Sequence, residues 1–425
     1  MKTAQRIDRI QPSITLEMTS KAAELRKSGV DVINLSVGEP DFDTPQNIKE
    51  AAYLAIKEGK TKYTAGSGIP ELKDAIIKKL DRDNNLRFNK EEIIVSCGGK
   101  HTLYNACQVL FEKSDEVIIF SPYWVSFPDF VAVTGARPNI VPTVPEKRYE
   151  PNFNILKKAI SDKTKGIIIN SPSNPTGGVW SDEAIKETLE IAKKYNLWVF
   201  SDECYERLTY DQDFRSIATY DKENEKILTF QSCSKTYSMT GWRIGYTAGN
   251  SKIIKAMSKL QSQSTSCPTS ISQYAAVEAL SGNQSEIEKM KKKFKKRRDY
   301  MVKELNRIDG VSCENPGGAF YVFPCLKGLI KSNKISSAWD FCFDLLEKQS
   351  IASVPGQSFG AENNIRFSYA ISSERLKLAI QRIHQILGRK NYMRPSVTLD
   401  RLIISKTKLK NQPQQLLKTE TERWI

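Results

Sequence analysis

The chain has 425 residues, of which 40% are hydrophobic and 27% are charged, and its formal net charge is +15. Its two histidines, His101 and His384, exclude a metal site built from several histidines and leave only two candidate bases for a Ser-His-Asp triad. The sequence contains no run of about 18 apolar residues, so it predicts no transmembrane helix. Its eight scattered cysteines include no Cys-x-x-Cys pair, which argues against a disulfide framework or a zinc ribbon.

The first 45 residues predict an amphipathic helix at 21–27 and a strand at 32–35. Short, nearly continuous apolar runs then recur, as expected for strands that are buried on both faces of a sheet. These six runs are residues 93–95, 117–120, 167–169, 197–200, 227–230 and 244–247. Helix-like stretches such as 181–195 separate most of them, and this alternation predicts an α/β domain with a mainly parallel sheet over about residues 46–285.

A second region begins with residues 285–308, whose many basic residues and helically spaced apolar side chains predict a long basic helix. It continues with a predicted strand at 319–323, a helix at 338–348 and a strand at 365–369. A last helix should start near Ser373, and Gly388 suits the position just after its end. We expect residues 1–45 and 286–391 to form one smaller α/β domain.

From Arg389 onward, nine Lys or Arg residues stand against three acidic ones, and the hydrophobic periodicity ends. We expect residues 392–425 to be a flexible basic tail; the alternative is a docking tail anchored by residues 402–404 and Trp424. No nucleic-acid-binding motif accompanies the charge, so it indicates a solvated surface rather than a nucleic-acid partner. The absence of a secretory signal and the scattered thiols predict a cytoplasmic protein without membrane contact.

Polar or glycine-rich residues follow the predicted strands, at the edge where a parallel sheet binds its ligands. Gly98 and Gly99 would hold a phosphate on backbone N–H groups, or form a plain turn. Asp202 would pair with a cation or cap a helix, and Lys235 by itself would be an ordinary surface lysine. Each signal alone is weak, so their joint occurrence in one chain is what indicates a function.

Eight segments occur here in an order known from one enzyme family. They are SVGEPDFDTP (36–45), GKTKYTAGSGIPELKDAI (59–76), VSCGGKHTLYN (95–105), SPYWVSFP (121–128), INSPSNPTGGV (169–179), SDECYE (201–206), SCSKTYSMTGWRIGY (232–246) and NIRFSYA (364–370). With them, residues 5–388 resemble the class I aminotransferases of fold type I, most closely the bacterial-type subgroup of aspartate aminotransferases. The resemblance implies a large domain that binds pyridoxal 5′-phosphate, with a mainly parallel seven-stranded sheet flanked by helices, and a smaller α/β domain made from the N- and C-terminal segments.

The resemblance assigns the cofactor pyridoxal 5′-phosphate to matching residues. Lys235 would hold it as a Schiff base and move a proton at the substrate Cα, and Asp202 would pair with the ring nitrogen. Tyr205 and Asn174 would hydrogen-bond the 3-oxygen of the ring, and Trp124 would stack on its face. The residues implied to bind the phosphate are Gly99, Lys100, Ser232, Ser234, Arg243 and, from a neighbouring subunit, Tyr63.

The same resemblance implies transfer of an amino group between an amino acid and a 2-oxo acid, in two half-reactions through pyridoxamine phosphate, by a homodimer with shared active sites. Arg366 would bind the substrate α-carboxylate as a bidentate pair, with contributions from Gly38, Trp124 and Asn174. Lys100 would bind the distal carboxylate of aspartate or glutamate, or else only support the phosphate loop. Some relatives also use prephenate, so this substrate is a further expectation.

Other functions fit parts of the pattern. An aminotransferase for aromatic or neutral amino acids and a lyase of the same fold would share most of these segments. A non-catalytic regulator of this fold would carry a DNA-binding domain, for which the tail is too short. The G-x-S-x-G segment at 356–360, with Glu362 and His384, has the chain order of a hydrolase, but the residues that follow predict a turn and a strand where a hydrolase needs a helix.

Overall fold

The computed structural model describes residues 3–10 and 14–388, so the predicted tail at 392–425 lies outside the described residues. The strands are β1 Ile33–Asn34, β2 Ile93–Ser96, β3 Glu116–Ser121, β4 Arg137–Val144, β5 Glu150–Pro151, β6 Thr164–Asn170, β7 Trp198–Asp202, β8 Ile227–Ser232, β9 Gly245–Ala248, β10 Tyr321–Val322, β11 Ile351–Ala352, β12 Val354–Pro355 and β13 Ile365–Ser368. The helices are α1 Ile14–Lys27, α2 Gln46–Lys57, α3 Pro70–Asn84, α4 Gly99–Leu110, α5 Ser126–Ala132, α6 Phe153–Ala159, α7 Asp182–Lys194, α8 Cys233–Thr236, α9 Ser251–Ser262, α10 Ser270–Ser281, α11 Ser285–Leu305, α12 Lys327–Lys331, α13 Ala338–Gln349 and α14 Ser373–Ile386.

The largest sheet of the described residues has the strand order β2-β9-β8-β7-β6-β3-β4-β5. Strands β8, β7, β6, β3 and β4 run parallel to one another. Strand β9 is antiparallel to both of its neighbours, and β5 is antiparallel to β4. The predicted α/β fold with a mainly parallel sheet is confirmed, and all six predicted strands lie in this sheet.

Two strands of this sheet were not predicted from apolar runs. Strand β4 contains Pro138 and Pro142, and most of its residues are partly or fully exposed, so it has no continuous apolar run. Proline removes a donor from a sheet ladder and argues against a strand at the sequence level. The two-residue β5 extends the edge beyond β4, which makes eight strands where the resemblance implied seven.

Apolar side chains pack on both faces of the sheet, which is why its strands do not alternate between polar and apolar residues. On one face, Ile167 and Val199 belong to a cluster with residues of α2, α3, α7 and α10. On the other face, Ile168 and Phe200 belong to a cluster with residues of α4, α5 and α9. The sheet is therefore held rigidly between two layers of helices, and its edges can position side chains accurately.

A second core joins the two ends of the described chain. It combines Ile33 and Leu35 near β1 with Phe294 of α11, Phe367 of β13 and Ile380 of α14. Strands β10, β13 and β12 form a small antiparallel sheet, and β1 pairs with β11 in parallel. The predicted helices at 285–308, at 338–348 and from Ser373 are confirmed, although the domain boundaries at 45/46 and 285/286 stay predictions.

The structure bears on the hydrolase alternative and on membrane spans. The G-x-S-x-G segment forms a 3₁₀ turn, Gly356–Phe359, between β12 and β13. No helix follows Ser358, so the segment lacks the strand-turn-helix geometry of a hydrolase nucleophile. Among the described residues, no helix has the length and the apolar character needed to cross a membrane.

Candidate active site

A cavity of about 270 Å³ lies where the carboxyl ends of β2, β3, β6, β7 and β8 meet. It brings together the site residues that the sequence assigned to one subunit, which are Gly38, Gly99, Lys100, Trp124, Asn174, Asp202, Tyr205, Ser232, Ser234, Lys235, Arg243 and Arg366. Most of these residues follow strands of the large sheet, whereas Gly38 and Arg366 belong to the second region. The cavity therefore forms where the large sheet meets that region. Ligand binding at this edge is the rule for open parallel sheets.

Lys235 lies on the short helix α8, directly after β8. Its Nζ donates a hydrogen bond to the backbone O of Gly38. Burial lowers the pKa of Lys235, and Arg243 and Arg366 act in the same direction, while Cys204 and Glu39 oppose it. A lowered pKa gives a larger fraction of neutral amine, the form that acts as a nucleophile or a general base.

Asp202 ends β7 and is 6% exposed. Its Oδ1 accepts a hydrogen bond of 3.2 Å from the backbone N–H of Cys204. Burial raises the pKa of Asp202 to about 7, and the neighbouring Glu203 adds to the effect. No cationic side chain of the described residues forms an ion pair with this carboxyl, so it can accept a cationic group of a ligand.

Arg366 of β13 is a buried cation that lines the cavity and is 3% exposed. Its Nη1 donates to Oδ1 of Asn174 at 2.9 Å and its Nη2 to the backbone O of Ser36 at 2.6 Å. Its Nε has no hydrogen-bond partner among the described residues, and burial lowers the pKa of Arg366. A guanidinium held in this way by neutral oxygens retains its charge for a carboxylate ligand.

Two tyrosine hydroxyls lie beside Arg366. Tyr205, which follows β7, and Tyr321 of β10 are in hydrogen-bond contact, with 2.9 Å between their Oη atoms. The guanidinium carbon of Arg366 lies 4.6 Å from the ring centroid of Tyr321. Burial raises the pKa of both hydroxyls, so each keeps its proton at neutral pH and can donate one hydrogen bond.

A cradle for an anion lies at the N-terminus of α4. Gly98 has φ 91°, and a Cβ there would collide with the guanidinium of Arg243, so only glycine allows the close approach. The Oγ of Ser232 donates to the Oγ of Ser234 at 2.8 Å within the same cradle. The guanidinium of Arg243 donates to the backbone O atoms of Thr240 and Cys97 but forms no ion pair with a carboxylate of the described residues. The positive end of a helix, two hydroxyls and this guanidinium together suit a phosphate group.

Lys100 and Trp124 form the outer wall of the cavity. The Nζ of Lys100 lies 5.1 Å from the ring centroid of Trp124, within cation–π distance. Burial lowers the pKa of Lys100, Arg243 adds to the decrease, and Asp129 opposes it. Trp124 is itself fixed by edge contacts with Phe127 and Phe130, at centroid distances of 5.4 Å and 5.8 Å. Its ring can therefore serve as a rigid aromatic surface for a ligand.

Tyr63 is the one predicted site residue that the structure does not bring to the cavity of its own chain. Its side chain is 90% exposed, and it lies in the loop between α2 and α3. The sequence assigned it to the site of a neighbouring subunit, so its separation from this cavity agrees with that assignment without testing it.

The sequence profile described as aminotransferase class I and II matches residues 30–383. The chain belongs to this family. It is 45% identical to the aspartate aminotransferase of Bacillus sp. strain YM-2, over 90% of this chain and 98% of that relative. It is 46% identical to a probable aspartate/prephenate aminotransferase of Rhizobium leguminosarum bv. phaseoli, over 91% of this chain and 98% of that relative. The solved structure of the Thermus thermophilus aspartate aminotransferase with maleate has a TM-score of 0.86 at 39% identity and covers 91% of this chain and 100% of its own.

These matches confirm the predicted resemblance, the fold type and the prediction of a transaminase. Aminotransferases of the aspartate type depend on pyridoxal phosphate, and three features of this cavity fit that cofactor. The buried Asp202 has no cationic partner in the part of the chain that the structure describes, and a protonated ring nitrogen would supply one. The cradle around Gly98 and Arg243 is shaped for an anion, and the amine of Lys235 lies in the same cavity as both.

Several lining residues of this aminotransferase were missed by the sequence reasoning. They are Leu103, Val125, Asn170, Cys204, Thr240 and Tyr321. Asn170 had a usable signal, because it ends β6 in register with Asp202 of the neighbouring β7. Its Nδ2 donates to the backbone O of Asp202 at 3.1 Å, and its Oδ1 accepts from the backbone N–H of Asn174 at 2.8 Å. Tyr321 had no such signal, because its segment only predicted a strand.

Proposed function

We propose that this aminotransferase exchanges the amino group of L-aspartate or L-glutamate with a 2-oxo acid such as 2-oxoglutarate, with pyridoxal phosphate held in the cavity. The observation that carries the proposal is a pair of cations in the cavity wall, the guanidinium of Arg366 and the ammonium of Lys100. Neither forms an ion pair with a carboxylate of the described residues. A dicarboxylic amino acid brings two carboxylates and would neutralise both cations.

Pyridoxal phosphate supplies an electron sink for the bond that breaks at the substrate Cα and carries the amino group between the two half-reactions. The chain contributes the groups around it. Lys235, whose pKa is lowered by burial, takes the proton from Cα and returns it in the reverse direction. Asp202 would hold a cationic ring nitrogen, and Arg366 would bind the α-carboxylate in the cavity that Lys235 also lines.

Lys100 is the residue that would select a dicarboxylic substrate. Partial burial and the neighbouring Arg243 lower its pKa, although the residue as a whole remains exposed to solvent. An apolar substrate would leave this ammonium without a counter-charge, whereas the distal carboxylate of aspartate or glutamate would pair with it. A site that leaves a charged group unsatisfied discriminates strongly against the wrong substrate.

Prephenate is a second acceptor that the site supports, because relatives at 46% identity bear the name aspartate/prephenate aminotransferase. Lys100 and Trp124 place a cation and an aromatic ring side by side. An acceptor that carries a carboxylate on an unsaturated ring could use both contacts. We therefore propose prephenate as the first acceptor to compare with 2-oxoglutarate.

The test measures single half-reactions of the cofactor-loaded protein with aspartate, glutamate, alanine and phenylalanine, through the loss of the cofactor's visible absorbance. We expect kcat/KM to be highest for the two dicarboxylic donors. The variant Lys100→Ala should lose roughly 10- to 100-fold in kcat/KM with aspartate, but only a few-fold with phenylalanine. Lys165→Ala, which removes an exposed lysine of β6 that does not line the cavity, is the matched control.

Other outcomes would replace the proposal with a named alternative. A preference for alanine or phenylalanine, with equal losses for all donors in Lys100→Ala, would assign the enzyme to aromatic or neutral amino acids and return Lys100 to the phosphate loop. Release of a fragment of the substrate instead of amino transfer would make it a lyase. Absence of any half-reaction would favour a non-catalytic regulator.

We also propose a homodimer with shared active sites, two domains and a cytoplasmic location. Tyr63 is 90% exposed, and Tyr53, Leu54 and Ile56 of α2 are 60%, 54% and 52% exposed. A second subunit that covers α2 and the loop after it would remove these large side chains from water. The proposed domains are residues 46–285 and, together, residues 1–45 and 286–391, in line with the separate cores. All eight cysteines are free, as suits a reducing compartment.

A further inference from the structure

The hydroxyl of Tyr321 is a buried polar group for which the proposed function has no use. Tyr321 is fully buried and lines the cavity, and its Oη lies 2.9 Å from the Oη of Tyr205. It is held on both sides, because β10 pairs Tyr321 with Ser368 of β13 and the guanidinium of Arg366 lies over its ring. A buried hydroxyl with one hydroxyl partner is a site where the direction of the hydrogen bond matters.

Tyr321 also explains the glycine at position 38. A Cβ built on Gly38 would lie 2.5 Å from the Oη of Tyr321, closer than real Cβ atoms approach an oxygen. Gly38 in turn accepts the hydrogen bond of Lys235 through its backbone O. One hydroxyl therefore contacts Tyr205 and the chain segment that holds the reactive lysine.

The number of hydroxyl protons decides which of the two tyrosines donates in the hydrogen bond between Tyr205 and Tyr321. Each neutral hydroxyl has one proton to donate. If Tyr205 donates its proton to the ring 3-oxygen of the cofactor, as the proposed function requires, it cannot donate to Tyr321. Tyr321 must then donate to Tyr205, and a hydroxyl that accepts a bond becomes a stronger donor itself.

We propose that Tyr321 is a positioning residue that donates a hydrogen bond to Tyr205 and thereby strengthens the bond of Tyr205 to the cofactor's ring oxygen. The inference rests on the proposed function, because it requires the cofactor in this cavity. A stronger donor on the ring oxygen stabilises negative charge there. The nitrogen that joins the cofactor to Lys235 then holds its proton less tightly.

The test is the variant Tyr321→Phe, which removes one oxygen and keeps the ring under Arg366. Each protein is loaded with pyridoxal phosphate, and its visible spectrum is recorded against pH. The spectrum changes when the nitrogen that joins the cofactor to Lys235 loses its proton. We expect the pH midpoint of this change to rise by about 0.5 to 1 pH unit in Tyr321→Phe. The dissociation constant for pyridoxal phosphate, measured by titrating the cofactor-free protein, should rise by only a few-fold.

The matched control is Tyr369→Phe. Tyr369 is also fully buried in the second core, and its hydroxyl donates to the backbone O of Ala319 at 3.1 Å, but it does not line the cavity. The variant Tyr369→Phe should unfold at a lower urea concentration than the wild type, as Tyr321→Phe does, but its spectral midpoint should not change. In the background of Tyr205→Phe, the change Tyr321→Phe should have no further effect on the midpoint. Tyr321 is proposed to act only through the hydroxyl of Tyr205, which this background already lacks.

The outcomes separate the two proposals. A wild-type protein that shows no pH-dependent cofactor band would overturn the proposed function and this inference with it. A wild-type protein that titrates normally, beside a Tyr321→Phe variant with the same midpoint, would overturn the inference alone. An undiminished shift in the Tyr205→Phe background would also overturn it, because Tyr321 would then act by another route.

Discussion

Two buried charges of opposite sign face the cavity without a counter-ion among the described residues. Asp202 is 6% exposed and Arg366 is 3% exposed. Burial raises the pKa of the first to about 7 and lowers the pKa of the second. Such charges reduce the stability of the ligand-free protein, and they increase its affinity for ligands that supply the missing partners.

The variant Asp202→Asn should make the stability of the cofactor-free protein less dependent on pH. Burial raises the pKa of this carboxyl from 3.8 to about 7, so between these values the folded state holds a proton that the unfolded chain has released. The free energy of unfolding of the wild type is therefore fully present below the lower value and falls as the pH rises through the higher one. The contribution of Asp202 to this fall is at most about 4 kcal/mol.

Urea unfolding of the cofactor-free proteins at about pH 5 and about pH 8 measures this effect. The stability of Asp202→Asn relative to the wild type should be greater at the higher pH. Asp162→Asn removes an exposed carboxylate and serves as the control, with no such difference expected. Equal relative stability of Asp202→Asn at both pH values would contradict the assignment.

The residues with a chemical signature could be found from the sequence. Lys235, Asp202 and Arg366 stand in segments that resemble the class I aminotransferases, the resemblance implied their roles, and all three line the cavity. Tyr321 could not be found in this way. Its position beside Tyr205 depends on how β10 pairs with β13, and residues 116 positions apart in the chain meet only after folding.

At the scale of elements, the turn that follows β7 has two functional faces. Asp202 and Tyr205 line the cavity, whereas Glu203 and Glu206 are buried on the other side of the turn. Glu203 accepts hydrogen bonds from Ser201, Ser216, Gln231 and the backbone N–H of Ile217. The hydrogen bonds of Glu203 therefore fix the turn, while Asp202 and Tyr205 on its other side face the cavity.

A buried lysine of α3 completes this anchor. The ammonium of Lys79 is in contact with the carboxylate of Glu206, and it also donates to Oδ1 of Asn84 at 2.8 Å and to Oε1 of Gln231 at 2.6 Å. The Lys79 side chain is 1% exposed and that of Glu206 is 7% exposed. Replacing one partner of a buried pair leaves the other as an uncompensated charge.

The variant Lys79→Met should destabilise the protein by about 3–5 kcal/mol, as measured by urea unfolding. The double variant Lys79→Met/Glu206→Gln should recover part of this loss, because Glu206 then no longer leaves an uncompensated buried charge. Lys78→Met is the matched control, since Lys78 is the preceding residue of the same helix and is exposed. If Lys78→Met and Lys79→Met lost equal stability, the buried pair would have no special role.

The element scale also shows where hydrophobic patterns mislead. The six strands with continuous apolar runs were predicted because both of their faces are buried. Strand β4 was missed because one buried position, Val141, stands among partly or fully exposed residues. Lys79 was missed for the opposite reason. A charged residue in an amphipathic helix predicts a solvated face, and only the tertiary structure supplies its buried partners.

At the scale of the whole molecule, one segment links the two cores across the cavity. The backbone O of Ser36 accepts from Arg366, and Asp41 accepts two hydrogen bonds from Arg297 of α11 at 2.7 Å and 2.9 Å. A few residues later, Thr44 donates to the backbone O of Ser238 at 2.6 Å, just after helix α8, which carries Lys235. This segment therefore helps to align the substrate and cofactor sites, together with the bond from Arg366 to Asn174.

The proposed dimer adds a residue that a single chain does not bring to its own cavity. Tyr63 is 90% exposed and is assigned to the phosphate of the neighbouring subunit. The variant Tyr63→Ala should fold as the wild type does, because an exposed side chain contributes little to stability. As a homodimer it should bind pyridoxal phosphate more weakly, so at low cofactor concentration most of its sites are empty.

Mixing two damaged subunits tests whether the sites are shared. Lys235→Ala homodimers lack the essential amine, and Tyr63→Ala homodimers lack the phosphate contact. In a hybrid dimer, the site built on the Tyr63→Ala subunit has its own Lys235 and receives Tyr63 from the Lys235→Ala subunit, so one of its two sites is intact. Random assortment makes half of the dimers hybrid, and co-expressed variants should therefore recover about a quarter of the wild-type activity at low cofactor concentration. Co-expression of Lys235→Ala with Asp202→Asn is the control, because both residues act within one subunit and no hybrid site is intact. Recovery in the control mixture, or none in the test mixture, would mean that Tyr63 does not act across the dimer.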